Sequence, residues 1–362
     1  MSITKIDKNF LTTELDESEV EWHEITEEGF SLHGIYYDAE DNIYRRLPKS
    51  VASSVSKRIE ELNGYSSGGR IRFVTNSPFI CIKAKLPNYG ILRHQPLVGQ
   101  YGFSLYVNNK FYGMYTPLGH QINPDMKTDV VYDGIQKLGQ YQTDEGEFYN
   151  MNLFCPSYGG LREVFIGLKK GSIIKKHKPY THQKPVVFYG SSITQGGVAS
   201  RPGNEYISHI SRTLDTDYIN LGFAGNAKGE QVMAKHVSSI DASVFVIDYD
   251  YNAPNVKHLE DTHYAFYKTV RSQNPTTPII FITRPNFGRF IEDEQRWKVV
   301  YASYLKAQEE GDKRVFFIDG KLLFGEDCRD ACTVDGIHPN DLGFYRMFKV
   351  ICPVVEKCIN LK

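Results

Sequence analysis

The chain has 362 residues, of which 41% are hydrophobic and 23% charged, with a formal net charge of −1. That length exceeds one ordinary core, so two domains are expected, and the composition excludes a disordered chain or a fibre. Charge this balanced, with no long run of one sign, argues against a nucleic-acid partner and against a surface built for anionic lipid.

The stretch from Met1 to Trp22 contains no apolar h-region, and nowhere do about 18 uninterrupted apolar residues occur. A cytoplasmic location without membrane contact is therefore expected. The cysteines (Cys81, Cys155, Cys328, Cys332, Cys352 and Cys358) are scattered, with no CxxC pair and no zinc pattern. Cys328 and Cys332, four apart, leave a redox or metal role open beside the plainer reading of free thiols.

The first half reads as β structure. Arg70 to Thr75 alternates polar and apolar residues, as a half-buried strand does. Phe79 to Ala84 follows the turn Asn76-Ser77-Pro78. Tyr101 to Val107 and Phe111 to Tyr115 form a hairpin about Asn108-Asn109-Lys110. Asn152 to Phe154 and Glu163 to Leu168 add two strands, and one helical patch falls near Ser50 to Leu62. Many short strands with turn signals predict a sandwich of jelly-roll type. The whole chain's 24 Tyr and 21 Phe suit a sugar-binding surface, though Tyr is equally at home in sandwich strands.

A basic connector, KKGSIIKKHKPYTHQKP, begins at Lys169, and the pattern then changes. The expected division is residues 1–178 and 179–362. In the second part short apolar runs alternate with helical ones. Strands are predicted at Val186 to Tyr189, Tyr218 to Leu221, Val244 to Tyr249, Ile279 to Thr283 and Val315 to Ile318. Helices are predicted at Glu205 to Leu214, Glu230 to Ser238, Leu259 to Ser272, Glu292 to Gln308 and Leu342 to Cys358. This is the pattern of a five-stranded parallel sheet covered on both faces, a three-layer α/β/α domain. Chemistry in such sheets sits at the carboxyl ends of the strands.

The loops at those ends are distinctive. The first, Gly190-Ser191-Ser192-Ile193-Thr194-Gln195-Gly196-Gly197, lacks the lysine of a phosphate-binding loop and is no dinucleotide fingerprint. A glycine before two serines suits either a plain turn or an exposed nucleophile. The second, Gly222 to Asn226, can aim a backbone N–H into a cleft, or simply turn into the next helix. The third, Asp248-Tyr249-Asp250-Tyr251-Asn252, offers two carboxylates for a metal or an amide for a developing oxyanion, the amide being the sharper reading. The last contains Asp335-Gly336-Ile337-His338-Pro339-Asn340, where a carboxylate three residues before a histidine can reach its Nδ1 and leave Nε2 as a base.

In this order these blocks resemble the SGNH (GDSL-type) hydrolase family over roughly residues 184–360. The resemblance implies a flavodoxin-like catalytic domain with Ser192 as nucleophile, His338 as general base and acid, and Asp335 as its orienter. It implies an oxyanion hole made of the Ser192 and Gly225 N–H groups and the Asn252 side chain, with no cofactor and no metal. Two departures stand out: Ser191 replaces the usual Asp of the first motif, and the third block reads DYDYN rather than Gly-x-Asn-Asp. The first half is similar to the sandwich that precedes some SGNH esterases, with Gly102-Phe103-Ser104-Leu105-Tyr106 matching a G-x-D-L-Y strand except at Ser104. The expected activity is hydrolysis of short acyl esters, acetyl above all, on a small-molecule or oligosaccharide substrate. A lipase, a thioesterase and a sugar-binding protein without activity are the competing readings. No apolar lid segment is evident. The sandwich is expected to bind glycan, wall the site or, through an open edge, join copies into a homo-oligomer.

Overall fold

Alternation along the first half folds into two antiparallel sheets that face one another across a single core. The computed structural model describes residues 16–117, 129–131 and 147–361; most of the segment read above for a leader lies outside them. In chain order the elements are β1 (Val20–Glu24), β2 (Ser31–His33), β3 (Tyr36–Asp38), β4 (Ile43–Arg45), α1 (Lys49–Val55), α2 (Lys57–Asn63), β5 (Arg70–Thr75) and β6 (Cys81–Leu86). There follow α3 (Leu97–Tyr101), β7 (Phe103–Val107), β8 (Lys110–Tyr115), β9 (Val130–Val131), β10 (Tyr149–Phe154), β11 (Glu163–Lys169) and β12 (Ile174–Lys175). One sheet runs β1-β11-β6-β9 and the other β12-β5-β10-β7-β8, with β2 also on β5. Ile71, Phe73, Leu105 and Leu153 from one sheet meet Ile82, Val164 and Ile166 from the other. The β7–β8 hairpin turns on Asn108 and Asn109, at φ 48° and 64°, the left-handed pair that a two-residue turn requires.

Two expectations change here. The helical patch is two short helices, because Ser56 is extended and caps α2 by accepting from Ile59 N. The basic connector is partly strand: β12 pairs with β5, and the next strand already begins at His182.

The second half is a parallel sheet. Its elements are β13 (His182–Gly190), α4 (Ser192–Gln195), α5 (Tyr206–Leu214), β14 (Thr216–Gly222), α6 (Gln231–Ser238), β15 (Val244–Asp248), α7 (Val256–Gln273), β16 (Ile279–Ile282), α8 (Asp293–Glu309), β17 (Val315–Ile318) and α9 (Asp341–Ile359). The order β14-β13-β15-β16-β17 is the flavodoxin-like 2-1-3-4-5. Strands buried on both faces explain the continuous apolar runs. Helices α5 and α9 cover one face, while α6, α7 and α8 cover the other. Helices α1 and α2 of the first half join that second layer: Leu47, Ala52, Ile59 and Leu62 share a core with Phe223 and Met233. No helix among the described residues is long and apolar enough to cross a membrane.

The sandwich also closes the open edge of β14. Arg70 and Arg72 point away from the sandwich core, opposite Ile71 and Phe73, yet both are buried. Their face meets the other half of the molecule rather than water, so β5 is not the half-exposed strand its alternation suggests. Arg70 Nη2 donates to Asp217 Oδ1 (2.6 Å) and to the Tyr218 carbonyl (2.9 Å), and its guanidinium stacks 3.6 Å over the Tyr218 ring. Arg46 Nη1 donates to the carbonyls of Asn220 (3.2 Å) and Gly222 (2.6 Å), and its Nη2 to that of Leu62 (2.7 Å). Burial without a carboxylate partner pulls the Arg46 guanidinium down to about 9, so it remains charged at neutral pH.

Arg46→Ala should lower the unfolding free energy by about 3 kcal/mol, since buried carbonyls lose charge-assisted partners. Urea denaturation followed by tryptophan fluorescence measures it. An unchanged midpoint would mean that packing alone holds this edge.

Candidate active site

The turn after β13 is built around a glycine that no other residue can replace. A Cβ on Gly190 would lie 2.1 Å from Thr194 Oγ1 and 2.3 Å from the Asp248 carbonyl. The chain can therefore fold back on itself into α4. Ser191 N donates to that same carbonyl (3.1 Å), and Ser191 Oγ caps the helix by accepting from Ile193 N (3.2 Å). Ser191 is thus buried and structural, while Ser192 opens the helix and faces the cleft. Geometry separates two serines that spacing alone leaves equivalent.

Opposite stands the last loop. His338 Nε2 lies 2.9 Å from Ser192 Oγ, and His338 Nδ1 lies 2.7 Å from Asp335 Oδ2. Asp335 Oδ1 also accepts the backbone N–H groups of Ile337 (2.9 Å) and His338 (2.8 Å). Burial would raise this carboxyl, but the N–H and ring of His338 and the N–H of Ile337 outweigh it and bring it down to about 2. The loop is pinned where α9 begins: Asn340 Oδ1 accepts from Gly343 N (3.1 Å).

Gly225 has φ +69°, and a Cβ there would meet nothing within 4 Å, so its backbone borders open space. The N–H groups of Ser192 and Gly225 have no acceptor among the described residues. Both residues line the cleft. Gln195 ties this loop down: its Oε1 accepts from Ala224 N (3.0 Å) and its Nε2 donates to the Ser157 carbonyl of the sandwich (3.2 Å). Asn252 also lines the cleft, but its Nδ2 donates to the Phe223 carbonyl (3.0 Å), leaving one amide hydrogen for a ligand.

The acidic third block has other duties. Asp250 accepts from Arg284 N (3.1 Å) and faces the Arg284 guanidinium, which also holds Asp293 (2.7 Å). Asp248 accepts from the hydroxyls of Thr194 (3.1 Å) and Tyr206 (3.5 Å) behind the nucleophile turn. The group among the described residues with metal-ligand spacing is His94, Asp335 and His338, with atoms within 4.8 Å of one another. Two of its members, Asp335 and His338, are already hydrogen-bonded to each other, and His338 also to Ser192.

The cleft encloses about 410 Å³, and much of its wall comes from the sandwich half: Arg58, Leu62, Tyr65, Leu92, His94 and Tyr158. None of these was among the expected site residues. Residues 88–96 form a loop that carries Leu92 and His94 to the site. Gln100 braces it through Leu92 N (3.0 Å) and the Gly90 carbonyl (2.5 Å), and Tyr101 through Tyr89 N (2.7 Å). The His94 and His338 rings lie 5.3 Å apart. Beside the cleft, Phe290 and Ile291 form an apolar loop tip, Ile291 being fully exposed, although no lid segment was evident from the sequence.

A Ser–His–Asp line at the carboxyl ends of a flavodoxin-like parallel sheet, facing free backbone N–H groups, is the arrangement of an SGNH-type hydrolase. Residues 183–356 match the GDSL-like lipase/acylhydrolase family, and residues 20–174 match the GxDLY family, the N-terminus of SGNH-hydrolase-type esterases. The chain belongs to this family of SGNH hydrolases, in its two-domain form. A Bacteroides ovatus protein described as a GDSL-like lipase is similar at 29% identity and TM-score 0.81, over 95% of this chain and 99% of that one. A salicylyl-acyltransferase from a tetracycline biosynthetic pathway aligns at 17% identity and TM-score 0.73, over 95% and 98%. A family two carbohydrate esterase from Clostridium thermocellum aligns at 14% identity and TM-score 0.60, over 91% and 98%. A comparison with curated protein sequences finds no match.

Burial first, and then the Asp250 charge, push the Asp248 carboxyl up to about 7. A raised carboxyl favours the folded state while protonated, so this stabilisation is full below the unfolded value near 4 and is lost as pH rises through about 7. Asp248→Asn should therefore gain on the parent by about 4 kcal/mol between pH 4 and 8. Thermal melts of both proteins across that range measure the gap, and a pH-independent gap would place an ionised Asp248 in the native state.

Proposed function

We propose that this hydrolase is a serine esterase that removes short acyl groups, acetyl above all, from carbohydrate esters. One observation carries the reading: Ser192 Oγ, His338 and Asp335 stand in hydrogen-bonding line with two unpartnered N–H groups beside the serine. His338 Nε2 takes the Ser192 proton as Oγ attacks the ester carbonyl. The oxyanion that forms is met by the N–H groups of Ser192 and Gly225 and by the remaining Asn252 N–H. His338 then gives its proton to the departing alcohol, and by the same route activates the water that frees the serine. With its carboxyl at about 2, Asp335 stays ionised at working pH and holds Nδ1–H in place.

The size of the cleft and its tyrosine-rich wall support a small acyl group on a polar, bulky alcohol. The two-domain build is the one in which family two carbohydrate esterases are made, which supports sugar as that alcohol. One observation favours a second reading, a longer acyl chain: the exposed tip Phe290–Ile291 adjoins the cleft.

Ser192→Ala should lower kcat on p-nitrophenyl acetate by at least ~10³-fold with the fold intact. Ser191→Ala should retain the chemistry and lose about 1 kcal/mol of stability as a missing helix cap. Comparable turnover by the Ser192 variant would remove the nucleophile. Asn252→Ala should cost about 10²-fold in kcat if its free N–H meets the oxyanion, and a loss under about threefold would leave that role to the backbone. Acetate release from acetylated sugars, set against hydrolysis of long-chain acyl esters, decides between the two readings.

A further inference from the structure

Asp335 orients His338 from within one turn, but that turn must itself be held against Ser192. The loop braces itself in part: Gly336 N donates to Thr333 Oγ1 (3.1 Å) and Val334 N to the His338 carbonyl (3.1 Å). Among the described residues, the hydrogen bonds that reach Asp335 and Gly336 from another part of the chain come from the loop between β16 and α8. Asn286 Nδ2 donates to the Gly336 carbonyl (2.7 Å), and Arg289 Nη2 donates to the Asp335 carbonyl (3.3 Å). A Cβ on Gly336 would fall 2.2 Å from Arg289 Cζ, so the guanidinium lies against bare backbone there. We propose that Asn286 is a positioning residue for ester hydrolysis, acting through Asp335 and His338. The inference rests on the esterase reading and adds a residue on which the rate depends, outside the triad and the oxyanion hole.

Two demands meet at Asn286. Its backbone is left-handed, at φ 53°, a conformation in which Asn is several-fold enriched. Its side chain must also bring an N–H, because the Gly336 carbonyl can only accept. Gly and Asp tolerate the same backbone, yet neither brings a donor at neutral pH. Asn286 is not among the residues that line the cleft, so its influence on the chemistry passes through the loop it holds.

The donor is itself firmly held on both sides. Before it, the Pro285 carbonyl accepts from Tyr251 OH (2.9 Å). After it, Asp293 Oδ2 accepts from Gly288 N (3.0 Å) and Phe290 N (2.8 Å). Asp293 Oδ1 takes Arg284 Nη1 (2.7 Å), and Asp250 Oδ2 takes Arg284 N (3.1 Å), with all three residues buried. A line of contacts thus runs from the end of β15, through a buried ion network, to the backbone beside the triad carboxylate. What it sets is the 2.9 Å approach of His338 Nε2 to Ser192 Oγ. A displacement of about 1 Å in such an approach can cost about 10²-fold in rate.

The test compares the full chain with two variants. Asn286→Gly keeps the left-handed backbone and loses the donor, while Asn286→Asp keeps the shape and puts an acceptor in the donor's place. If one of them does not fold, the other carries the comparison. On p-nitrophenyl acetate, well below each melting temperature, both should lower kcat by about tenfold or more. KM should stay within about threefold of the parent, because no substrate contact is lost. In an Asp335→Ala background the same substitutions should cost less than about threefold further, since the group they position is gone. Parental kcat in either variant, an effect on KM larger than that on kcat, or a tenfold loss that persists without Asp335 would overturn the positioning role. Activity of the parent would still stand behind the esterase reading in each of those cases. A parent inactive on every ester would instead overturn that reading, and this inference with it.

Discussion

The organisation of this molecule depends on how the outer edge of β14 is satisfied. A strand at the end of a parallel sheet presents a row of unpaired carbonyls, which water or another strand normally meets. Here two arginines from the first half reach them, Arg70 at Tyr218 and Arg46 at Asn220 and Gly222. Guanidinium groups suit this task because their forked donors reach successive carbonyls and remain charged when buried. The contact does more than join two halves. Gly222 ends β14, and the next residue, Phe223, lies under the Arg46 guanidinium at 4.5 Å and accepts from Asn252. The Gly225 N–H therefore hangs from a strand end whose position the sandwich half helps to set.

From this clamp follows the composition of the cleft. Once the sandwich lies along β14, its loop at residues 88–96 and the segment around Tyr158 fall beside the nucleophile turn. Tyr158 OH donates to the Ser192 carbonyl (3.3 Å), and Ser67 Oγ donates to that of Gln195 (2.5 Å). Chemistry and recognition are thereby divided between the halves. The parallel sheet supplies serine, histidine, carboxylate and N–H donors, and the sandwich supplies nearly half of the residues that line the cleft.

The parallel half was legible in the sequence because its strands are buried on both faces and its helices on one, so hydrophobic period and structure coincide. The candidate site residues were legible for a related reason, since a glycine turn and an Asp-x-x-His loop are short local patterns whose geometry closes within a few residues, although the choice of Ser192 over Ser191 came from the family resemblance alone. Gly190 and Asp335 show this directly, each making its decisive contacts inside its own turn or with the adjacent strand. The sandwich's part in the site was not legible. Nothing local distinguishes Arg46 or Arg70 from surface arginines, because what buries them lies more than a hundred residues away in sequence. Arg70 even sits in an alternating pattern that implies an exposed face. His94 likewise owes its place to Gln100 and Tyr101, which shape its loop through hydrogen bonds to backbone groups rather than through any motif.

The same distinction explains why the DYDYN block resisted a reading from sequence. Two acidic residues after an apolar strand resemble a ligand set, yet the structure gives each a separate partner on a separate side. Asp250 belongs to a buried arginine network with Arg284 and Asp293 that anchors the loop leading to Phe290. Asp248 faces the nucleophile turn, where its side chain takes the Thr194 hydroxyl and its backbone carbonyl takes Ser191 N. An ionised pair so close would repel, and burial resolves the conflict by favouring a proton on Asp248 while Asp250 keeps its cation. Below about pH 7 a protonated Asp248 behind Thr194 adds no negative charge next to the turn that carries Ser192. The departure from the family's third motif is thus compatible with the chemistry, because the two carboxylates are absorbed into support on either side of the strand end and the residues of the block that line the cleft are Tyr251 and Asn252.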